Sequence, residues 1–114
     1  MATMYVRRFN FKDDLTDDQV LKELDFLLRT VVPAVKMVPG VRDCRVFSGA
    51  GALRADLTIT VEMDDGGVYE KLLVDEEVRA HLGRMYGNWD LKAATQTFRR
   101  EITSELMDAL SSRR

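Results

Sequence analysis

Apolar residues recur along the chain with two periods, and the switches between them predict the order of its elements. From Thr3 to Phe11 the side chains alternate, with Tyr5, Phe9 and Phe11 on one side and Arg8 and Asn10 on the other. Val6 and Arg7 blur the pattern, which still predicts a first strand. A helix start follows at Leu15-Thr16-Asp17-Asp18-Gln19: Thr16 caps an amide near Gln19, Gln19 reaches back, and Leu15 staples against Val20. Val20, Leu21, Leu24, Leu27, Leu28, Val31 and Val35 then fall on one helical stripe, with Lys22, Glu23, Asp25 and Arg29 largely outside it. Pro33 removes a donor and crowds the preceding turn, so the helix is expected to bend or break there, and Pro39-Gly40 stops what continues.

Val41 to Ser48 alternates imperfectly and predicts a second strand, and Gly49-Ala50-Gly51-Ala52 supplies the positive-φ options of a hairpin. The third strand shows the clearest alternation: Leu53, Ala55, Leu57, Ile59, Val61 and Met63 share one face, and Arg54, Asp56, Thr58, Thr60 and Glu62 the other. After Asp64-Asp65-Gly66-Gly67 a second helix is expected in two pieces, with Asp75 as an internal cap and an apolar face at Val78, Leu82 and Met85. Gly87-Asn88 suits a left-handed helix stop. Ala93 to Ile102 reads as a fourth strand, and the tail at 104–114 holds a final helical turn or two.

The order β-α-β-β-α-β, joined by right-handed crossovers, predicts an α+β domain of the ferredoxin-like plan: a four-stranded antiparallel sheet with both helices on one face. Residues 1–114 make a single domain under this reading, and Arg54, Asp56, Thr58, Thr60 and Glu62 line the uncovered face. Symmetric pairing of two copies through that face is the expected way to cover it.

The segments MYVRRFNF, KMVPGVRDCRVF, LRADLTITVEMDD and VYEKLLVDEEVRAHLGRMYG give the chain, over nearly its whole length, a layout that resembles the dimeric α/β-barrel superfamily. Antibiotic-biosynthesis monooxygenase-like and stress-responsive barrel proteins belong to it. The resemblance implies a homodimer whose two sheets form a barrel, with small-molecule pockets between the sheet and the helices of each subunit. Haem-degrading members use an Asn on the first strand and a Trp and a His on the second helix. Asn10, His81 and Trp89 are the corresponding residue types here, but Trp89 follows His81 where the family places its Trp first.

Composition narrows the partners. A net charge of −2 with interspersed signs offers no basic stripe for nucleic acid and no polybasic face for a membrane surface. The single Cys44 forms no internal disulfide, and the start lacks an apolar stretch long enough for a signal peptide or membrane span, so a cytoplasmic protein is expected. No nucleotide, metal or hydrolase motif is present, so the expected cofactor is none and the expected metal ligands are none.

Candidate chemistry reduces to a few side chains. His81 is a surface histidine in its plainest reading and an acid, base or ligand in its functional one. Trp89, with Tyr86 and Asp90, falls where the second helix turns towards the last strand, a place for core packing or for closing a pocket. His81, Trp89 and Asn10 are therefore the catalytic candidates, and Tyr5, Arg7, Tyr69 and Tyr86 the ligand-binding ones. Arg7, Arg45 and Arg99 with Asp56 and Glu62 are expected to form an ion-paired patch on the sheet. Three functions stay open: a homodimer binding a small, partly apolar organic molecule; a cofactor-independent monooxygenase acting on an aromatic or polyketide-type substrate; and a structural or regulatory dimer without a ligand.

Overall fold

The computed structural model describes residues 2–51 and 53–112. Strand β1 (Thr3–Phe9) leads to helix α1 (Asp17–Phe26), a π-helical segment (Leu27–Val31) and α2 (Val32–Lys36). Strands β2 (Val41–Phe47) and β3 (Leu57–Met63), helices α3 (Val68–Val74) and α4 (Glu76–Tyr86), strand β4 (Thr95–Arg100) and helix α5 (Ser104–Ser111) complete the chain. The sheet runs β2-β3-β1-β4 with every neighbouring pair antiparallel, which is the ferredoxin-like order. Among the described residues no helix is long and apolar enough to cross a membrane.

Register assigns the two sheet faces. Tyr5, Arg7 and Phe9 on β1 sit opposite Val61, Ile59 and Leu57 on β3, and Cys44 and Val46 on β2 oppose Val61 and Ile59. Leu57, Ile59, Val61 and Met63 are buried, so this face meets the helices. Val6, Arg45, Thr58, Thr60, Glu62 and Thr97 fall on the opposite face by the same pairing. Arg7 therefore leaves the ion-paired patch expected on the sheet: its parity is that of Tyr5 and Phe9. Asp56 pairs instead with Arg8, and the Arg45 guanidinium lies 5.1 Å from the Phe47 ring centre.

The helix start at Thr16 is built as its residues require. The Gln19 amide donates to the Thr16 hydroxyl at 3.2 Å and the Thr16 amide to the Gln19 side chain at 2.8 Å. Thr16→Ala is expected to lower stability by about 1 kcal/mol, read as a lower urea midpoint at unchanged slope; an unaltered midpoint would mean that water caps the helix equally well. Pro33 neither ends nor breaks the helix. The chain widens ahead of it, and the Val32 amide donates to the Leu27 carbonyl five residues back, which clears room for the proline ring.

Three other boundaries differ from the periodicity. Strand β3 begins at Leu57, four residues after the alternation does, because Arg54 and Asp56 are drawn elsewhere. The Arg54 guanidinium donates to the Leu15 carbonyl at 2.7 Å and lies 3.3 Å from Asp17, while Asp56 takes a φ of 55°. Strand β4 is trimmed at both ends, to Thr95–Arg100. Helix α4 ends without a left-handed residue: Gly87 has a φ of −60°, and the Asn88 and Trp89 amides donate to the Met85 and Tyr86 carbonyls at 3.0 and 3.2 Å. These tight turns satisfy the last carbonyls, so no positive φ is needed. Within the expected hairpin loop Gly51 does take a positive φ, 89°, and Ala52 lies outside the described residues.

All six residues of β4 are exposed, and of α5 only Leu106 is buried. The Cα radius of gyration is 16.1 Å, against about 13 Å for a compact 100-residue domain. Strand β4 is paired to β1 along its length, whereas Ile102, Met107 and Leu110 beyond it stand in solvent.

Candidate functional site

A cavity of about 260 Å³ lies between the sheet and the helices, just below the roughly 300–1,000 Å³ of ordinary ligand pockets. Its floor is the helix-side face of the sheet, with Tyr5 and Arg7 from β1, Cys44 from β2, and Ile59 and Val61 from β3. The wide π turn brings Leu27 and Val31 to one wall with Val32 and Val35, and Tyr69, Leu72, Leu82 and Tyr86 form the other. Exposed Leu73 and Arg79 stand at the rim.

Trp89 closes one end. The segment after α4 is zipped to the end of β1 by the Lys12 amide donating to the Asn88 carbonyl at 3.0 Å and the Asp90 amide donating to the Asn10 carbonyl at 2.8 Å. This buries Trp89 and stacks it on Phe9 at 3.8 Å between ring centres. Tyr86 meets the indole edge-on at 5.0 Å, and Tyr5 lies 5.0 Å from Tyr69. The Arg7 guanidinium carbon is 5.7 Å from the Trp89 ring centre and 5.8 Å from that of Tyr86, within cation–π range.

Polar groups are few. Tyr5 Oη and Arg7 Nη1 both donate to the Gln96 side-chain oxygen, each at 3.1 Å. Burial, reinforced by Tyr69 and opposed by Arg7, pushes the Tyr5 phenol up to about 12. Arg7 Nε and Trp89 Nε1 are buried with no hydrogen-bond partner among the described residues.

Cys44 in the floor is likewise pushed up to about 12, first by burial and then by Asp43. A group that holds its proton more tightly folded than unfolded stabilises fully below the unfolded pKa, about 8.5 for a thiol. That contribution is lost as pH rises, because the unfolded chain ionises first. The stability difference between the wild type and Cys44→Ala is expected to shrink between neutral pH and about pH 10 in urea titrations; a constant difference would mean a solvated thiol.

The structure brings Tyr5, Arg7, Tyr69, Tyr86 and Trp89 together around this cavity and places Asn10 and His81 outside its wall. The Asn10 side-chain oxygen accepts from the Asp56 amide at 2.7 Å and so pins the loop before β3. His81 meets Phe26 edge-on at 5.5 Å and lies 3.5 Å from Glu77, on the side where Arg84 stacks over Phe26 at 3.7 Å. Asn10, His81 and Trp89 do not converge, so as a set they do not fit a haem. Among the described residues no cluster of His, Cys, Asp or Glu is arranged to hold a metal ion. Sequence reasoning missed Gln96, which reaches Tyr5 and Arg7 only through the pairing of β4 with β1.

No family model matches the sequence, and no curated protein matches it. Solved structures do. A dimeric protein of unknown function with a ferredoxin-like fold from Bacteroides fragilis NCTC 9343 is similar at a TM-score of 0.74 and 11% identity, over 88% of this chain and 96% of that one. SnoaB, a cofactor-independent oxygenase from Streptomyces nogalater, gives a TM-score of 0.72 and 10% identity over 90% and 95%. A dimeric ferredoxin-like protein of unknown function from Thermobifida fusca YX gives 0.70 and 17% over 89% and 92%.

The likeness is one of fold. The ferredoxin-like plan with its monooxygenase-like neighbours is thereby shown, and two of the three neighbours are described as dimeric.

Proposed function

We propose that the chain is a homodimeric α/β-barrel protein that binds a small organic molecule in the cavity between its sheet and helices. The observation that carries this reading is the cavity itself, apolar along most of its wall, with Tyr5 and Arg7 in its floor and Trp89 at one end. Pockets of this make-up, with few polar groups at one end, are the usual form of small-molecule sites.

The uncovered sheet face, the wholly exposed β4 and the apolar residues left in solvent on and before α5 support a second copy as partner, through the sheet face. An unpaired, buried Cys44 suits the cytoplasm. Native mass spectrometry of the protein purified from its own host tests both parts. A dimer carrying extra mass is expected; a monomer at micromolar concentration overturns the barrel, and a dimer without bound mass counts against the ligand.

A cofactor-independent oxygenase acting on an aromatic or polyketide-type substrate is the second reading. It is favoured by the aromatic end of the cavity, Tyr69, Tyr86 and Trp89, and by the fold likeness to a protein described as a cofactor-independent oxygenase. Trp89 is the first residue to test, since His81 and Asn10 stand outside the wall. Oxygen consumption with polycyclic phenols, lost in Trp89→Phe, is the expected result, and no consumption with the wild type counts against it. The ligand-free dimer predicts no pocket, and the cavity speaks against it.

A further inference from the structure

We infer that the cavity takes an apolar organic acid in its anionic form, with the charged group received by the Arg7 guanidinium. The inference rests on the ligand-binding reading above and adds the chemical class of the ligand.

Charge is the first argument. Two arginines border the cavity, Arg7 in the floor and Arg79 at the exposed rim, and neither Asp nor Glu is among the described residues that line it. The Arg7 side chain reaches a neutral acceptor, the Gln96 amide oxygen at 3.1 Å. Tyr5, which shares that acceptor, holds its proton up to about 12 and supplies no counter-charge at neutral pH. A guanidinium partly withdrawn from water beside an apolar space favours an anion there.

The lining is the second argument, and it points to the same end of the cavity. The Arg7 guanidinium carbon stands 5.7 Å from the Trp89 ring centre and 5.8 Å from that of Tyr86, so the cation sits at the aromatic end. Ile59, Val61, Leu72 and Leu82 leave the rest of the ligand an apolar bed. Arg79 at the rim draws an anion towards the opening.

The test compares naphthalene-2-carboxylate with naphthalene-2-carboxamide, equal in shape and different in charge, by isothermal titration calorimetry on the full chain at neutral pH. The acid is expected to bind at least about tenfold more tightly than the amide. Gln96→Glu places a carboxylate against Arg7 on an exposed strand, where folding is little disturbed. It is expected to weaken the acid about tenfold and leave the amide unchanged, and Arg7→Met is expected to equalise the two. Equal affinities in the wild type overturn the anion and keep the pocket. An acid preference untouched by Gln96→Glu and Arg7→Met overturns the assignment to Arg7. If neither probe binds, the inference falls, and bound mass on the host-purified protein then decides the ligand-binding reading separately.

Discussion

Replacing Trp89 with alanine is expected to cost about 3–5 kcal/mol of folding stability, which is about a fifth or more of what holds a typical domain together, roughly 5–15 kcal/mol. The indole is 1% exposed and stacked on Phe9, which is itself fully buried and meets Phe11 edge-on at 5.5 Å. Removal opens a void between the end of β1 and the turn after α4, and the backbone bonds joining those segments hold them apart instead of letting them collapse. Because Trp89 is the only tryptophan, unfolding must be followed by circular dichroism. Trp89→Phe is expected to cost much less, since it keeps a ring on Phe9 and deletes an N–H that has no partner. Equal losses in the two variants would mean that the indole nitrogen, and not the ring stack, holds the end of the cavity.

The second large effect is expected at Gly40, between α2 and β2. Gly40 has a φ of 93°, and a Cβ there would stand 2.5 Å from Val68 Cγ2, at the first residue of α3. Gly40→Ala therefore combines backbone strain of about 1–3 kcal/mol with overpacking of similar size, about 1–3 kcal/mol. The two parts separate in a double variant. Val68→Ala alone removes a buried side chain and destabilises, whereas combined with Gly40→Ala it relieves the overlap, so the pair is expected to cost less than the sum of the singles. Strict additivity in urea unfolding would show that the backbone shifts and that the methyl never meets Val68.

The positions of Gly40 and Thr16 were legible in the chain, because their signals are local. Pro39-Gly40 is a stop wherever it occurs, and the Thr16–Gln19 box needs no distant residue to form. The division of the second helix at Asp75 is of the same kind, since the Asp75 carboxylate accepts from the Val78 amide at 3.0 Å three residues on. Arg54 and Asp56 behaved differently. Both keep the alternation of a strand, yet Arg54 is held by carbonyls of the segment before α1 and Asp56 by Asn10, partners about 40 residues away or more. Periodicity carries no information about such pairings, so it ran the strand four residues too far.

Most of the candidate site could be named residue by residue, yet its composition could not be assembled. Tyr5, Arg7, Tyr69, Tyr86 and Trp89 meet at one cavity because β1 lies in the centre of the sheet and the turn after α4 bridges back to its end. One clue to Arg7 was present in its parity with Tyr5 and Phe9, which assigns a cation to the apolar face. Its charge instead suggested the open face. His81 carried the strongest chemical signal as the only histidine, but the angular position of a residue on α4 depends on which face packs, and the packed face holds Val78, Leu82 and Met85.

The sequence by itself determined the order of elements, the capping of α1 and α4, and the apolar parity of β3, because each depends on residues within a few positions of one another. Only the tertiary structure decided that the Arg7 guanidinium, with Gln96 as its neutral acceptor, borders an apolar cavity lined by Trp89, since that requires strand pairing and helix docking to bring residues 7, 89 and 96 together across most of the chain.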